Sequence, residues 1–484
     1  MRKIMYLALS VLIISSCTNS TEENSMEKDQ YKFENGYPVT SDMPSIFEEL
    51  DYQRAVQSYL WATPAVATYS FIEGLQRDYG ADMYTANIWE KSATPKTIVF
   101  TGNSQSIYSV GYFDLSETGP FVLEFPENLL GMVDDLWYAP ITDVGLAGPD
   151  KGAGGKYLIL PPNYKGEIPD GYYTYESTTF MNIWLVRAFQ GNDGSSPVDD
   201  LKQIRTYPLS KIDDQPEMTY KMVSDIHADL TFPTDERFFD QLGKIFTKEN
   251  VRDIDMAYLG MLSSLGIENG QPFSPDTKMK ALFKRASETG NAMARAIAYS
   301  SRNENKNPYT DGQWEWIFLT ERPTFYTENY LDIEARITYT HQACFTANGM
   351  VAKNVGVGSQ YFAAYKDGNG AWLDGSQNYK LTLPPDVPVV NFWSLMVYNS
   401  ETRSMVVTDT EDAGLDSYGD LQVNENGSID LYMGPTPPEG IESNWIKTDE
   451  QTGFFVYLRF YGPKQEFFDK TWVPGDIEPL DNNR

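Results

Sequence analysis

Seven polar residues interrupt otherwise apolar, β-rich stretches of this 484-residue chain: Asn103, Tyr108, Arg187, Asp374, Arg403, Arg459 and Tyr461. Together they cover what a site working without histidine would need. A tyrosine can donate or transfer a proton, an arginine can hold an anion in its planar fork, and an asparagine can orient a substrate. Arg459, in "YLRFYG", is the most suggestive of them. A strand-borne arginine among aromatics is either paired in the core, here with Asp374 or Asp430, or aimed into a pocket as a carboxylate anchor. On residue type, Tyr108, Tyr461 and Arg459 are the candidates for chemistry. Asn103, Arg187, Arg403 and Trp445 are the candidates for holding a ligand.

Other chemistries find less support. The only histidines are His227 and His341, and no Gly-x-Ser-x-Gly elbow accompanies either. His341 and Cys344 are three apart, so on a helix they would share a face and could form a thiolate pair; the plainer reading is a buried Cys beside a bonded His. No cluster has zinc spacing, so no metal and no cofactor is expected. "KDGNGAWLDG" superficially resembles a calcium loop, but Ala371 and Trp372 stand where a ligand and a glycine are required, which makes it a turn. Trp184, Trp393 and Trp445 could stack on sugar rings, although core packing is the ordinary role of each. Carboxylate pairs for glycoside hydrolysis cannot be picked out among 68 acidic residues.

The elements that must position these residues begin after "MRKIMYLALSVLIISSC". Arg2 and Lys3 precede an apolar run too short for a mature membrane helix of ~20 residues, and the run ends at Cys17. Ile14-Ser15-Ser16-Cys17 resembles a bacterial lipobox, so residues 1–17 are read as a signal with Cys17 the acylated residue. Residues 18–43 read as a flexible tether. A formal charge of −30 argues against nucleic-acid binding. With Cys17 carrying lipid, Cys344 is the one remaining thiol and no internal disulfide can form. The expected setting is the bacterial cell envelope, at the outer membrane, with the lipid as the membrane partner.

From Pro44 to Tyr79 the pattern is helical, with Tyr52, Val56 and Tyr59 on one stripe and Pro64 expected to break it in two. Residues 97–208 and 361–476 alternate as short strands between turns, whereas helices are expected between 234 and 300. One helix carries Phe238, Leu242, Ile245 and Phe246. A second should start at Ser274 as N-cap and Pro275 at the first position, burying Met279, Leu282, Phe283, Ala286, Met293 and Ile297. Asn426-Gly427 reads as a hairpin turn leading into Ile429, Leu431 and Met433. Its Pro-rich sequel should hold Trp445 in place.

"GVGSQYFAAYKDGNGAWLDGSQNYKLTLPP", "FWSLMVYNSETRSMV" and "GFFVYLRFYGPKQEFFDKTWVPGDIE" resemble the domain-of-unknown-function family 1214. "NSQSIYSVGYFDLSETGPFVLEFP" and "GGKYLILPPNYKGEIPDGY" resemble its companion, family 1254. The resemblance implies two β-sandwich domains joined by helices, often in a homo-oligomer, with no settled activity. One departure stands out: Gln105 replaces the acidic residue of the family's Asn-x-Asp-Thr-Leu-Tyr pattern. The expected architecture is mainly β with α: 44–208 as N-terminal helices and a first jelly-roll-like sandwich, 209–330 as a helical connector, and 331–484 as the second sandwich. A pocket is expected where the two sandwiches face each other, with Arg459 and Tyr461 on one wall and Asn103 and Tyr108 on the other. Two functions fit it: a hydrolase or lyase acting on a small or saccharide substrate, or a non-catalytic ligand-binding or scaffolding lipoprotein.

Overall fold

The computed structural model describes residues 31–188, 196–410 and 412–480. Cys17 and the lipobox lie outside them. The chain divides into two units, residues 1–50 and 51–484. In the first, Phe33–Glu34 pairs antiparallel with Tyr37–Pro38 about the left-handed Asn35 and Gly36, inside the stretch read as tether.

A single helix, α1 (Met43–Tyr79), runs through Pro64 without a break. Proline removes the N–H that would bond Leu60 and costs about 3 kcal/mol in a helix interior. Burial outweighs that cost, because nearly every residue from Ala55 to Thr68 is buried regardless of helix face. Thr63 and Thr68 donate their hydroxyls to the carbonyls of Tyr59 and Pro64.

From Ala55 on, this helix shares one apolar core with strands of two pairs of sheets. The first pair uses β1 (Thr85–Trp89), β2 (Ile107–Asp114), β3 (Phe121–Phe125), β4 (Leu129–Asp135), β5 (Pro140–Gly145), β6 (Gly155–Leu160), β7 (Tyr173–Glu176), β8 (Met181–Ala188), β9 (Arg205–Pro208) and β10 (Thr219–Met222). They form a six-stranded sheet in the order β10-β1-β2-β8-β4-β5 and a four-stranded sheet β7-β6-β3-β9. Phe113, Trp184 and Val186 from one sheet and Phe121, Tyr157 and Ile159 from the other fill the core between them. Because side chains alternate along a strand, Ile183 and Leu185 of β8 face away from that core and join the larger one containing α1.

The helices α2 (Arg237–Lys248), α3 (Met256–Ser264) and α4 (Thr277–Tyr299) follow. In α2, Phe238, Leu242, Ile245 and Phe246 are buried, as their spacing requires. Helix α4 starts later than its sequence suggests. Asp276 is the N-cap, its carboxylate accepting the Met279 N–H at 2.8 Å, so Ser274 and Pro275 precede the helix. Met293, expected on the apolar face, is exposed.

The second pair comprises β11 (Glu315–Trp316), β12 (Ser359–Ala364), β13 (Tyr379–Leu383), β14 (Trp393–Asn399), β15 (Gly414–Asp416), β16 (Ile429–Gly434), β17 (Trp445–Lys447), β18 (Phe454–Tyr461) and β19 (Ile477–Pro479). They form sheets β11-β12-β18-β14-β15 and β17-β16-β13-β19. Helix α5 (Ile333–Thr340) lies before β12. The architecture is thus mixed and β-rich, with helices beside two paired-sheet regions. It is not purely antiparallel: β6 with β7, β1 with β10, and β16 with β17 pair in parallel.

The Asn426-Gly427 signal makes a turn but not a hairpin between two strands. Gly427 has φ 83° and its N–H bonds the Asn424 carbonyl, yet residues 421–424 are not a strand. β16 pairs instead with β13 and β17. Trp445 donates its indole N–H to the Gly434 carbonyl at 3.0 Å, which closes the Pro-rich excursion.

Candidate functional site: a cavity between the first and second sheet pairs

Strand register builds the site. In β2 and β8, Tyr108 sits directly opposite Arg187, and in β4 Leu130 and Met132 stand opposite Arg187 and Leu185. In the second pair, Tyr361 and Ser394 flank Arg459, and Ser359 stands beside Tyr461. These two surfaces line one cavity of ≈ 160 Å³. Asn103, Tyr108, Arg187, Tyr361, Arg459 and Tyr461 are all on its lining, among a majority of apolar residues.

The segment 100–103 fastens the two surfaces together. Thr101, with φ 41°, donates its N–H to the Arg403 carbonyl at 2.8 Å. Its own carbonyl accepts from Arg459 Nη2 at 2.9 Å. Arg459 Nη1 donates to the Tyr398 hydroxyl at 2.6 Å, and that hydroxyl donates to the Gly102 carbonyl at 2.7 Å. Asn103 Oδ1 accepts the Gln105 N–H, which leaves its amide to donate to the hydroxyls of Tyr461 at 2.7 Å and Tyr108 at 3.3 Å. Gln105 therefore shapes this turn through its backbone; its side chain donates to Ser104.

Both arginines are buried without a carboxylate partner among the described residues. The ion pair expected for Arg459 is not formed. Asp374 accepts from Ser376, and Asp430 accepts from Thr382 and lies 3.7 Å from Lys380. The Arg187 guanidinium lies 5.3 Å from the Tyr461 ring centroid. Burial works against both charges. Only where the surrounding tyrosines ionise (Tyr108, Tyr361 and Tyr461 around Arg187; Tyr398, Tyr461 and Tyr361 around Arg459) is that effect offset, which keeps both groups above the ordinary guanidinium value. Burial also pushes the Tyr461 hydroxyl up, so it is a neutral phenol at physiological pH. Asp143 is on the lining, but its oxygens accept from the backbone of Asn348 and Gly349.

Two candidates lie elsewhere. Arg403 is buried with its guanidinium 4.6 Å from the Phe100 ring and 5.4 Å from that of Phe232, off the cavity lining. Trp445 is also absent from the lining. Trp184 and Trp393 are buried core residues. The Cys–His pair does not form. His341 caps the end of α5 and neither of its ring nitrogens has a partner, while Cys344 lies past the helix among residues 343–347. Burial raises the Cys344 thiol to about 12, so although it lines the cavity it is not a thiolate. In "KDGNGAWLDG", Asp367 accepts the N–H groups of Asn369 and Ala371, an ordinary turn.

Sequence reasoning missed Thr101, Ser359, Tyr361 and Tyr398. For Tyr361 and Tyr398 a signal existed, a phenol within an apolar strand, but it is the same signal that most buried tyrosines give.

The family model described as "Protein of unknown function (DUF1254)" matches residues 84–208, and the model described as "Protein of unknown function (DUF1214)" matches residues 358–465. No curated protein matches the chain. Among solved structures, the VPA0106 protein from Vibrio parahaemolyticus is similar over 89% of this chain and 100% of its own, at 16% identity and a TM-score of 0.55. A putative uncharacterized protein from Burkholderia cenocepacia aligns over 91% and 97% at 12% identity, with a TM-score of 0.41. The chain thus matches both models of the paired domain-of-unknown-function 1254 and domain-of-unknown-function 1214 family, the 1254 match lying ahead of the 1214 match.

Proposed function

We propose that this chain is an envelope-anchored binding protein whose cavity holds a small organic anion. One observation carries the reading: Arg187 and Arg459 are buried on one cavity, and neither forms an ion pair with a carboxylate among the described residues. Removing a cation from water costs several kcal/mol after relaxation. A fold that places two such charges on the same cavity gains most when an anion enters it. The hydroxyls of Tyr461 and Tyr108, which accept from the Asn103 amide, keep their own O–H groups to donate to that anion.

Binding is favoured over hydrolysis or elimination by what the lining offers. The Cys344 thiol and the Tyr461 phenol stay protonated at neutral pH, and His341 is not on the cavity. A saccharide is a poor match for a lining this apolar, because its hydroxyls would lose water without regaining partners. The lipobox-like Ile14-Ser15-Ser16-Cys17 supports anchoring of the protein to the membrane by lipid.

The test is calorimetric titration with acetate, benzoate and glucuronate at matched ionic strength, on the wild type and on Arg187→Lys. A carboxylate should bind the wild type and lose at least ten-fold in affinity in the variant, since lysine keeps the charge but not the fork. Failure of all three to bind would refute the proposal.

A further inference from the structure

Resting on that reading, we infer that the anion is a monocarboxylate whose body is a single aromatic ring. Three features of the cavity point to this ligand: how many cationic forks are free, how far the apolar region extends from them, and how large the space is.

The two arginines are not equivalent. Arg459 already spends its terminal nitrogens on the Tyr398 hydroxyl and the Thr101 carbonyl. It is a positioning group that lends charge from behind. Arg187 has neither a backbone carbonyl nor a carboxylate among its described partners; its surroundings are the phenols of Tyr108, Tyr361 and Tyr461. The Arg187 fork donates to the Tyr361 phenol and to no carboxylate among the described residues, and its remaining donors match one carboxylate.

From Arg187 the cavity turns apolar along the same strand. Two residues back, Leu185 lines it with Met132 as cross-strand neighbour, while Leu130 neighbours Arg187 itself. A two-residue step along a strand is about 6.6 Å, the order of distance from a guanidinium, through the carboxylate it grips, to the middle of a ring bonded to that carboxylate. Phe71 and Tyr339 also line the cavity, and with the Met132 thioether they suit a flat aromatic body.

Size supplies the last constraint. An apolar cavity of about 150 Å³ is enough to hold benzene, and this one measures ≈ 160 Å³. A fused bicyclic body must reach beyond that volume, and a sugar acid would strand its hydroxyls against the Leu185 and Met132 walls.

The experiment titrates the purified protein with benzoate, benzyl alcohol, glucuronate and 2-naphthoate, using wild type, Arg187→Lys and Leu185→Ala. Benzoate should bind wild type at least ten-fold tighter than each of the other three. Arg187→Lys should lose at least ten-fold for benzoate. Leu185→Ala opens the ring end and should shift the naphthoate-to-benzoate preference by at least ten-fold toward naphthoate. Met132→Ala, on the neighbouring strand, is the second enlarging variant should Leu185→Ala fail to fold. If glucuronate binds as tightly as benzoate and depends on Arg187, the ring assignment is wrong while the anion site stands. If benzyl alcohol matches benzoate and Arg187→Lys changes nothing, the anion site itself is wrong. If no carboxylate binds, both are overturned.

Discussion

Asn103 and Tyr461 stand 358 positions apart in the chain, and the amide of one donates to the hydroxyl of the other at 2.7 Å. Asn103 belongs to the segment matched by the first family model and Tyr461 to that matched by the second. Neither segment alone encloses the cavity, since Arg187 and Tyr108 come from one and Arg459 and Tyr361 from the other. This gives a physical reason for the two domains to occur as a pair: the site exists only where they meet.

Asn103→Asp tests the charge balance of that meeting point. The substitution is isosteric, and one oxygen can still accept the Gln105 N–H. The other would become an anion accepting from the Tyr461 hydroxyl, on a cavity holding two uncompensated guanidinium groups. A hydrogen bond to a charged group contributes about 1.5–3 kcal/mol, so the ligand-free variant should unfold at higher urea than wild type. Carboxylate binding should fall below detection, because the site then carries its own anion. A variant that is less stable and still binds would contradict the proposed electrostatics.

Arg459→Lys and Arg187→Lys should differ in kind. The first breaks the bonds to Tyr398 and the Thr101 carbonyl and leaves buried oxygens unsatisfied, for a loss of about 2–4 kcal/mol. The second removes a fork that faces the cavity, so stability should change by less than about 1 kcal/mol while carboxylate affinity drops. Urea unfolding beside calorimetry separates them. Equal destabilisation by both would mean that Arg187 is a structural residue.

The sequence exposed some of this and hid the rest for identifiable reasons. Asn103, Tyr108, Arg187, Arg459 and Tyr461 could be picked out because each interrupts apolar alternation, a local pattern. Tyr361 and Tyr398 carry only the signal of any buried strand tyrosine, since their roles depend on which strand lies beside β18, and that register between distant strands leaves no local mark. Arg403 and Trp445 carried the same local pattern and point elsewhere, one onto Phe100 and the other onto the Gly434 carbonyl. Asn-Gly shows the same limit. At 35–36 it joins two paired strands, whereas at 426–427 it makes only the turn, because the preceding stretch finds no partner. Pro64 fails as a helix breaker for the opposite reason: tertiary burial outweighed a local preference.

Glu249 should make stability depend on pH. Burial raises its carboxyl to about 7, against three backbone N–H donors from Phe180, Met181 and Asn250 that favour the anion. The folded protein therefore holds this proton over a range in which the unfolded chain, with an ordinary glutamate near 4.3, has released it. Its stabilising contribution is complete below the unfolded value and is lost as pH rises through about 7. Glu249→Gln cannot titrate, so the fall in its urea midpoint between pH 5 and pH 8 should be smaller than in wild type. Identical pH profiles would show that Glu249 ionises normally.

Cys17→Ser tests the anchor. With no thiol to acylate, the protein should move from the membrane fraction to the soluble envelope extract, and labelled palmitate should no longer be incorporated. Among the described residues no helix is long and apolar enough to cross a membrane, so none of these offers a second span. A Cys17→Ser protein still on membranes after a salt wash would remove the lipoprotein reading and leave the cavity unaffected.

Gly111→Ala separates fold from site on a single sheet. Gly111 pairs with Trp184 across β2 and β8, and a Cβ there would sit 2.5 Å from the indole Cζ2. Trp184 is fully buried between the first pair of sheets and cannot swing away. Overpacking of this kind costs about 1–3 kcal/mol. The clash falls on the face of the sheet opposite Leu185 and Arg187, so carboxylate affinity should hold while the melting temperature drops. Trp184→Phe makes room for the new methyl. The double variant should be more stable than the sum of the single losses predicts, as expected for residues in contact. Strict additivity, or a loss of binding that matches the loss of stability, would mean that the two faces of this sheet are not independent.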